Sequence, residues 1–247
     1  MSEPTDRQPH ANLDPASRQG KAEKIERLLG KVGLPARTPL RLLEIGTGGG
    51  GIATYFGSHA SRAYEVTAVD TVDQRIRTEG YRFLQVSGVE LPFPDGSFDV
   101  VVSNHVIEHV GDARNQKGHL KEMSRVLSHD GVIYLACPNR WQWVEPHYHL
   151  ALLSWWPRSW RSFYLALRGK GSFYDCEPLS KRALERLLGA VPLAFRNACP
   201  EAMSDVLEHE LAGRPVAGIL RWMPAWGWRI LAGVCPTHVY LLGKQPG

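Results

Sequence analysis

The chain has 247 residues, 43% of them apolar, and a formal net charge of +4. That length buries one sizeable α/β core with room for an added subdomain, rather than two full domains. The charge argues against a nucleic-acid partner, whose binders are basic throughout. Its excess sits where Arg140, Arg158, Arg161, Arg168 and Lys170 meet a single acid, Glu145, which points to a local anionic surface or substrate.

In chain order, residues 1–20 are polar, lack the apolar core of a signal peptide and are expected to be disordered, leaving 21–247 as a single domain. Ile25, Leu28, Leu29 and Val32 have helical spacing, which predicts a helix over Lys21–Leu34, closed by Pro35 and Pro39. Leu42, Leu43 and Ile45 read as a buried parallel strand that breaks into glycines from Gly46 to Gly51. Gly46, Gly48 and Gly50 let the backbone turn sharply and approach a ligand without Cβ atoms in the way. A helix over Gly51–Gly57 then points its N-terminal N–H groups at whatever sits there.

Further strands are expected at Glu65–Asp70, Tyr81–Val86 and Phe98–Ser103. A helix carrying Leu120, Met123, Val126 and Leu127 leads through Asp130-Gly131 into a fifth strand, Val132–Ala136. Strands alternating with helices predict a doubly wound parallel sheet. A helix over Ser180–Leu188, capped by Ser180, a sixth strand at Leu193–Asn197 and a last one at His238–Leu242 complete it. Two segments, about 139–178 and 200–236, fall outside this pattern and read as substrate-side insertions. Cys137, Cys176, Cys199 and Cys235 are widely spaced, with no C-x-x-C pair or metal-type cluster, so free thiols in a reducing, cytoplasmic setting are expected, with no metal.

Gly46, Gly48 and Gly51 also satisfy G-x-G-x-x-G, the dinucleotide fingerprint of an NAD-dependent oxidoreductase. Glu44 separates the readings, because a carboxylate before the turn repels a pyrophosphate but suits a cationic ligand bearing an amino group. Glu44-x-Gly46-x-Gly48-x-Gly50 resembles the E/D-x-G-x-G-x-G signature of class I S-adenosylmethionine-dependent methyltransferases. The resemblance implies a seven-stranded Rossmann-like sheet whose last strand is antiparallel and inserted beside the sixth. It also implies S-adenosylmethionine as cofactor, its amino acid part wrapped by the glycine loop, Thr47 included.

Asp70, ending the second strand, is placed to accept hydrogen bonds from both ribose hydroxyls, with Thr71 beside it. It also suits the N-cap of a following helix, and the two roles are compatible. Leu91-Pro-Phe-Pro-Asp-Gly-Ser-Phe-Asp99 resembles the L-P-F-P-D-x-S-F-D block of small-molecule methyltransferases, which no dehydrogenase reading explains. Where that family carries an acid for the adenine amino group this chain has Ser87, which still accepts a hydrogen bond, and the Gly88 and Val89 backbones are in reach of the ring. Ser87 is the sole support for a rival reading as a non-catalytic scaffold. Ser103-Asn-His-Val-Ile-Glu-His-Val110 resembles the segment after the fourth strand, which implies that Asn104, His105 and Val106 flank the cofactor. His105 is the first candidate base. Glu108 and His109 suit either a divalent metal, as in some ubiquinone-biosynthesis O-methyltransferases, or a brace for the next helix; the brace is favoured for want of further carboxylates.

Pro138-Asn-Arg-Trp-Gln-Trp-Val-Glu-Pro-His-Tyr-His149 resembles a segment of bacterial methyltransferases acting on glycans, lipids or secondary metabolites. Glu145, His147, Tyr148 and His149 are the candidate catalytic residues there, His147 foremost, for an acceptor with a hydroxyl to deprotonate and an apolar or sugar face to stack. Trp155, Trp156, Trp160 and Phe163, with Trp222, Trp226 and Trp228 further on, suit a helical Trp-rich substrate lid, a surface contacting an anionic membrane, or plain subdomain core. The expected reaction is O-methylation of a small-molecule acceptor, aromatic, glycan or lipid-like, with N- or C-methylation as the alternatives.

Overall fold

Strands without apolar–polar alternation need cover on both faces, and the buried runs Leu40–Ile45 and Phe98–Asn104 meet that need at the centre of one sheet. The computed structural model describes residues 15–145, 147–210 and 235–245. In chain order these form α1 (Pro15–Gly30), β1 (Leu40–Ile45), α2 (Gly51–Ser58), β2 (Tyr64–Asp70), β3 (Tyr81–Gln85) and β4 (Phe98–Asn104). Next come α3 (Ala113–Val126), β5 (Leu127–Pro138), β6 (Val144–Glu145), β7 (Leu150–Ala151), α4 (Arg158–Leu167), α5 (Lys181–Leu188), β8 (Leu193–Asn197), α6 (Cys199–Asp205) and β9 (Thr237–Lys244).

The seven-stranded sheet runs β3-β2-β1-β4-β5-β9-β8. The pairs from β3 to β5 are parallel, and β9 is antiparallel to both β5 and β8, as the resemblance implied. Alternate residues of β1 serve opposite cores. Leu42 joins Ile25 and Leu29 of α1 and Ile52 and Phe56 of α2, while Leu43 joins Leu120 and Met123 of α3 and Leu184 and Leu188 of α5. Each such side chain contributes about 1.5–3 kcal/mol of burial. Ser180 caps α5 as expected, its Oγ accepting from Ala183 N at 3.3 Å.

Three expectations need correction. The first helix begins at Pro15, so residues 15–20 are helical; the remainder of the expected disordered lead, residues 1–14, lies outside the described residues. The fifth strand is longer than its β-branched centre, with a register shift opposite Phe98 and Val100. Residues 71–80 contain no helix, so Asp70 is not an N-cap. Ile76 N and Arg77 N both donate to Gly49 O at 3.0 Å, which draws this loop onto the glycine turn instead.

The first insertion folds as a β6–β7 hairpin and α4 around its own small core of Tyr148, Leu150, Leu153, Leu165, Tyr174 and Cys176. Asn139 clamps its base: its N–H donates to Pro236 O at 2.8 Å and its Nδ2 to Cys235 O at 3.0 Å. The second insertion begins as α6 and one π-helical turn, Val206–Glu210; residues 211–234, with Trp222, Trp226 and Trp228, lie outside the described residues.

The Leu91–Asp99 block is held from two sides. Glu122 accepts from Leu91 N at 2.9 Å, and the Arg125 guanidinium donates to Leu91 O, Phe93 O and Asp95. At its far end the buried Asp99 accepts from Arg41 N, Nε and Nη2 at 3.0, 3.1 and 2.8 Å, tying β4 to β1. Asp99→Ala leaves the Arg41 backbone N–H without its acceptor and the half-buried guanidinium without its counter-charge, keeping its 3.3 Å bond to Gly96 O. The expected loss is about 3 kcal/mol in urea denaturation.

Candidate functional site

Parallel pairing places Ile45 opposite both Val69 and Ser103, so the chain leaves β1, β2 and β4 at one level. The turn after β1 is left-handed at Gly46 (φ 74°), Gly48 (φ 52°) and Gly50 (φ 82°). A Cβ on Gly46 would lie 2.5 Å from Val106 Cγ2, and one on Gly50 would strike Arg77 O and the Tyr81 hydroxyl. Glycine is therefore required at both positions by packing as well as by φ. Asp70 closes the turn from the end of β2: its Oδ2 accepts from Gly48 N at 2.8 Å and its Oδ1 from Thr71 N at 2.7 Å.

Glu44 sits beneath this turn, only 2% exposed. Thr47 Oγ1 donates to its Oε2 at 2.7 Å. Burial pushes its carboxyl up to about 8, against the opposing pull of the Thr47 hydrogen bond and the Arg18 charge. Arg18 comes from α1, packs its side chain against Gly51 and is itself pulled below its ordinary value by burial, with Glu44 opposing. A sequence reading passed over Arg18, which lies in the polar stretch expected to be disordered.

At the other strand ends, Ser87 and Gly88 are exposed and Val89 half-buried, and a Cβ on Gly88 would meet open space. Asn104 ends β4 with its Nδ2 buried and without a hydrogen-bond partner. An orphaned donor at that position fits a ligand acceptor. His105 adopts φ 59°, a left-handed conformation strained for a residue bearing a Cβ, and its N–H donates to Ala136 O at 2.8 Å. Its Nδ1 lies 3.5 Å from Oε1 of Glu108, which is fully buried. Burial raises the Glu108 carboxyl, and His105 and His109 more than offset it, leaving it below its ordinary value. Behind it, burial lowers His119 to about 4, so this ring is neutral where it contacts Ser103 Oγ at 3.1 Å.

The four polar candidates of the insertion separate. Glu145 is buried, and its Oε2 accepts from His147 N at 2.9 Å and Tyr148 N at 2.7 Å, which suits a turn anchor better than a base. Tyr148 packs in the insertion core with its hydroxyl 3.4 Å from Asp175 Oδ1. His149 is exposed with φ 54°. His147 meets the loop after β4, its ring 5.1 Å from that of His109 between centroids. Cys176, passed over in the sequence, reaches the same place, with its Sγ 3.7 Å from His109 Nδ1. On the outside of the insertion Trp143, Trp160, Phe163 and Leu167 are each more than half exposed (69%, 54%, 62% and 70%).

The methyltransferase domain family matches residues 43–135, the span from β1 through β5 that carries the glycine turn, Asp70, Asn104 and His105. This segment is a class I S-adenosylmethionine-dependent methyltransferase domain. An uncharacterized methyltransferase of Bacillus subtilis is 32% identical over 106 residues, 40% of this chain and 41% of that protein. A probable S-adenosylmethionine-dependent methyltransferase of Mycobacterium tuberculosis is 35% identical over 108 residues, 43% of this chain and 38% of that one. The chain thus spans about two fifths of the length of these curated relatives. In fold it is similar to a chain of the Haloferax volcanii complex between the Trm112 methyltransferase activator and a methyltransferase, with a TM-score of 0.58, 13% identity and 96% of each chain covered. Both a ubiquinone biosynthesis O-methyltransferase of Caulobacter (32% over 118 residues, 42% of this chain and 44% of that one) and a glycine/sarcosine/dimethylglycine N-methyltransferase of Actinopolyspora halophila (30% over 129 residues, 46% and 21%) are among the relatives.

The burial of Glu44 in the methyltransferase domain has a pH signature. Its folded value is raised to about 8 from an ordinary 4.5, so the fold favours the protonated form. Its stability contribution is complete below the unfolded value and is lost as pH rises through the folded one. Glu44→Gln should therefore leave the melting temperature unchanged near pH 4 and raise it progressively above wild type toward pH 8. A difference that is flat with pH would contradict this assignment.

Proposed function

We propose that the chain transfers a methyl group from S-adenosylmethionine to an oxygen of a small-molecule acceptor with an apolar face. The observation that carries the methyl-transfer reading is the glycine turn closed by Asp70 over the buried Glu44, within the matched domain. Asp70 would take the ribose hydroxyls, Glu44 and the turn the cationic amino acid end, the Asn104 Nδ2 a ligand acceptor, and the open edge at Ser87 to Val89 the adenine. Bound there, the cofactor supplies an electrophilic methyl on a sulfonium. The chain's own task is alignment, which is worth on the order of 7–11 kcal/mol of barrier in favourable cases.

His105 supports the choice of oxygen over nitrogen. Its Nδ1 faces the Glu108 carboxylate at 3.5 Å, which leaves Nε2 to accept a hydroxyl proton, with Glu108 stabilising the resulting imidazolium. His105→Ala is expected to keep cofactor binding and to lose roughly 10²- to 10⁴-fold in turnover. Methyl transfer from labelled cofactor alongside calorimetric binding checks this, and unchanged turnover would remove the base assignment.

The exposed Trp160, Phe163 and Leu167, one stripe of α4, support a lipid-like acceptor reached from an anionic membrane surface, with Arg158 and Arg168 flanking the same helix. Among the described residues no helix is long and apolar enough to cross a membrane. In flotation with anionic vesicles the wild type should rise with the lipid, and a Trp160→Ala, Phe163→Ala, Leu167→Ala triple variant should stay behind. Wild type remaining at the bottom would contradict the surface contact and leave methyl transfer untouched.

A further inference from the structure

Three side chains distant in sequence converge where the first insertion meets the loop after β4. His109 comes from the helical turn Ile107–His109, His147 from the β6–β7 hairpin, and Cys176 from the irregular segment that follows α4. One ligand atom from each lies within 4.8 Å of the other two. We propose that His109, His147 and Cys176 form a binding site for one zinc-class divalent cation, which fastens the insertion to the methyltransferase core.

The spacing suits the ion. With zinc–nitrogen bonds of about 2.0–2.1 Å and a zinc–sulfur bond of about 2.3 Å, the N–S edge of a tetrahedron is roughly 3.6 Å. The observed separation from Cys176 Sγ to His109 Nδ1 is 3.7 Å. Imidazole with thiolate selects zinc and its neighbours over magnesium or calcium, which take oxygen. Three protein ligands leave a fourth tetrahedral position for an exchangeable ligand.

The surroundings are built for a cation. Glu108 is fully buried, neither carboxylate oxygen has a hydrogen-bond partner, and its Oε1 lies 4.0 Å from Nε2 of His109. The carboxylate thus sits beside the ring nitrogen opposite the one that faces Cys176. A carboxylate behind a metal-bound imidazole fixes its tautomer and increases its basicity. Asp175 Oδ1 stands 3.5 Å from Cys176 Sγ, adding negative charge on the thiolate side. The scaffold is held by hydrogen bonds that involve none of the three ligand atoms: Glu177 N donates to Glu108 O at 2.8 Å, and the Glu145 carboxylate accepts from His147 N at 2.9 Å. This set differs from an acid–histidine pair at Glu108 and His109, because the acid stands behind the ligand and two of the three ligands come from the insertion.

Cobalt substitution tests the site in the full, untagged chain after dialysis against a chelator. Wild type should bind one cobalt(II) per chain, with a near-ultraviolet thiolate-to-cobalt band and tetrahedral visible bands. Zinc should abolish both, and a large excess of magnesium should leave them unchanged. Cys176→Ser should lose the near-ultraviolet band, and His147→Ala should weaken binding at least about tenfold. A wild-type titration without the thiolate band would overturn the proposal whatever the variants do, as would a band that survives Cys176→Ser. Because the readout is the cobalt spectrum, its failure leaves methyl transfer standing, and a chain inactive toward S-adenosylmethionine could still bind the metal.

Discussion

Parallel pairing of β1 with β2 on one side and β4 on the other is the constraint on which the rest of this structure depends. It levels three strand ends, so Glu44, Asp70 and Asn104 gather without any of the three being near another in sequence. The glycine turn is a consequence of that levelling. The chain must leave β1, clear the end of β2 and enter α2 within a few residues, and left-handed backbone at Gly46, Gly48 and Gly50 is the means. The hydrogen bond from Gly48 N to Asp70 then fixes the turn against its neighbouring strand. The two cores above and below the sheet keep those ends in register.

Much of this is legible in the residues, because the sheet is made of local signals. The apolar run before Gly46, the β-branched run at Val100–Val102 and the capping serine before α5 each act over a few positions, and the strands appear where those signals stand. What was hidden is what depends on distant partners. Asp70 followed by Thr71 reads locally as a helix start, yet the donors that would open a helix at Ile76 and Arg77 are taken by Gly49 O. Arg18 lies in a polar stretch without helical apolar spacing, and its place beside Gly51 follows only from the docking of α1 on α2. Cys176 carries no spacing signal at all, since its neighbours His109 and His147 arrive from two other parts of the chain.

Glu108 joins the two halves of the site. A fully buried carboxylate without a hydrogen-bond partner is costly, and it is tolerated here because two histidines approach its Oε1, His105 Nδ1 at 3.5 Å and His109 Nε2 at 4.0 Å. One histidine directly follows β4 and the other stands at the junction with the insertion. The proposed base and the proposed metal ligand thereby share one buried charge. Among the described residues the insertion's small apolar core is separate from the two sheet cores, and polar contacts of Asn139 and of the junction around His109 tie its base to the sheet domain.

Calorimetric titration of S-adenosylmethionine and of NAD into wild type and Asp70→Ala tests the central claim most directly. The account predicts binding of S-adenosylmethionine to wild type, no binding of NAD, and a loss of about tenfold or more in S-adenosylmethionine affinity in the variant, the scale of a charged hydrogen bond. Binding of NAD in place of S-adenosylmethionine, or equal S-adenosylmethionine affinity with and without the Asp70 carboxylate, would contradict it.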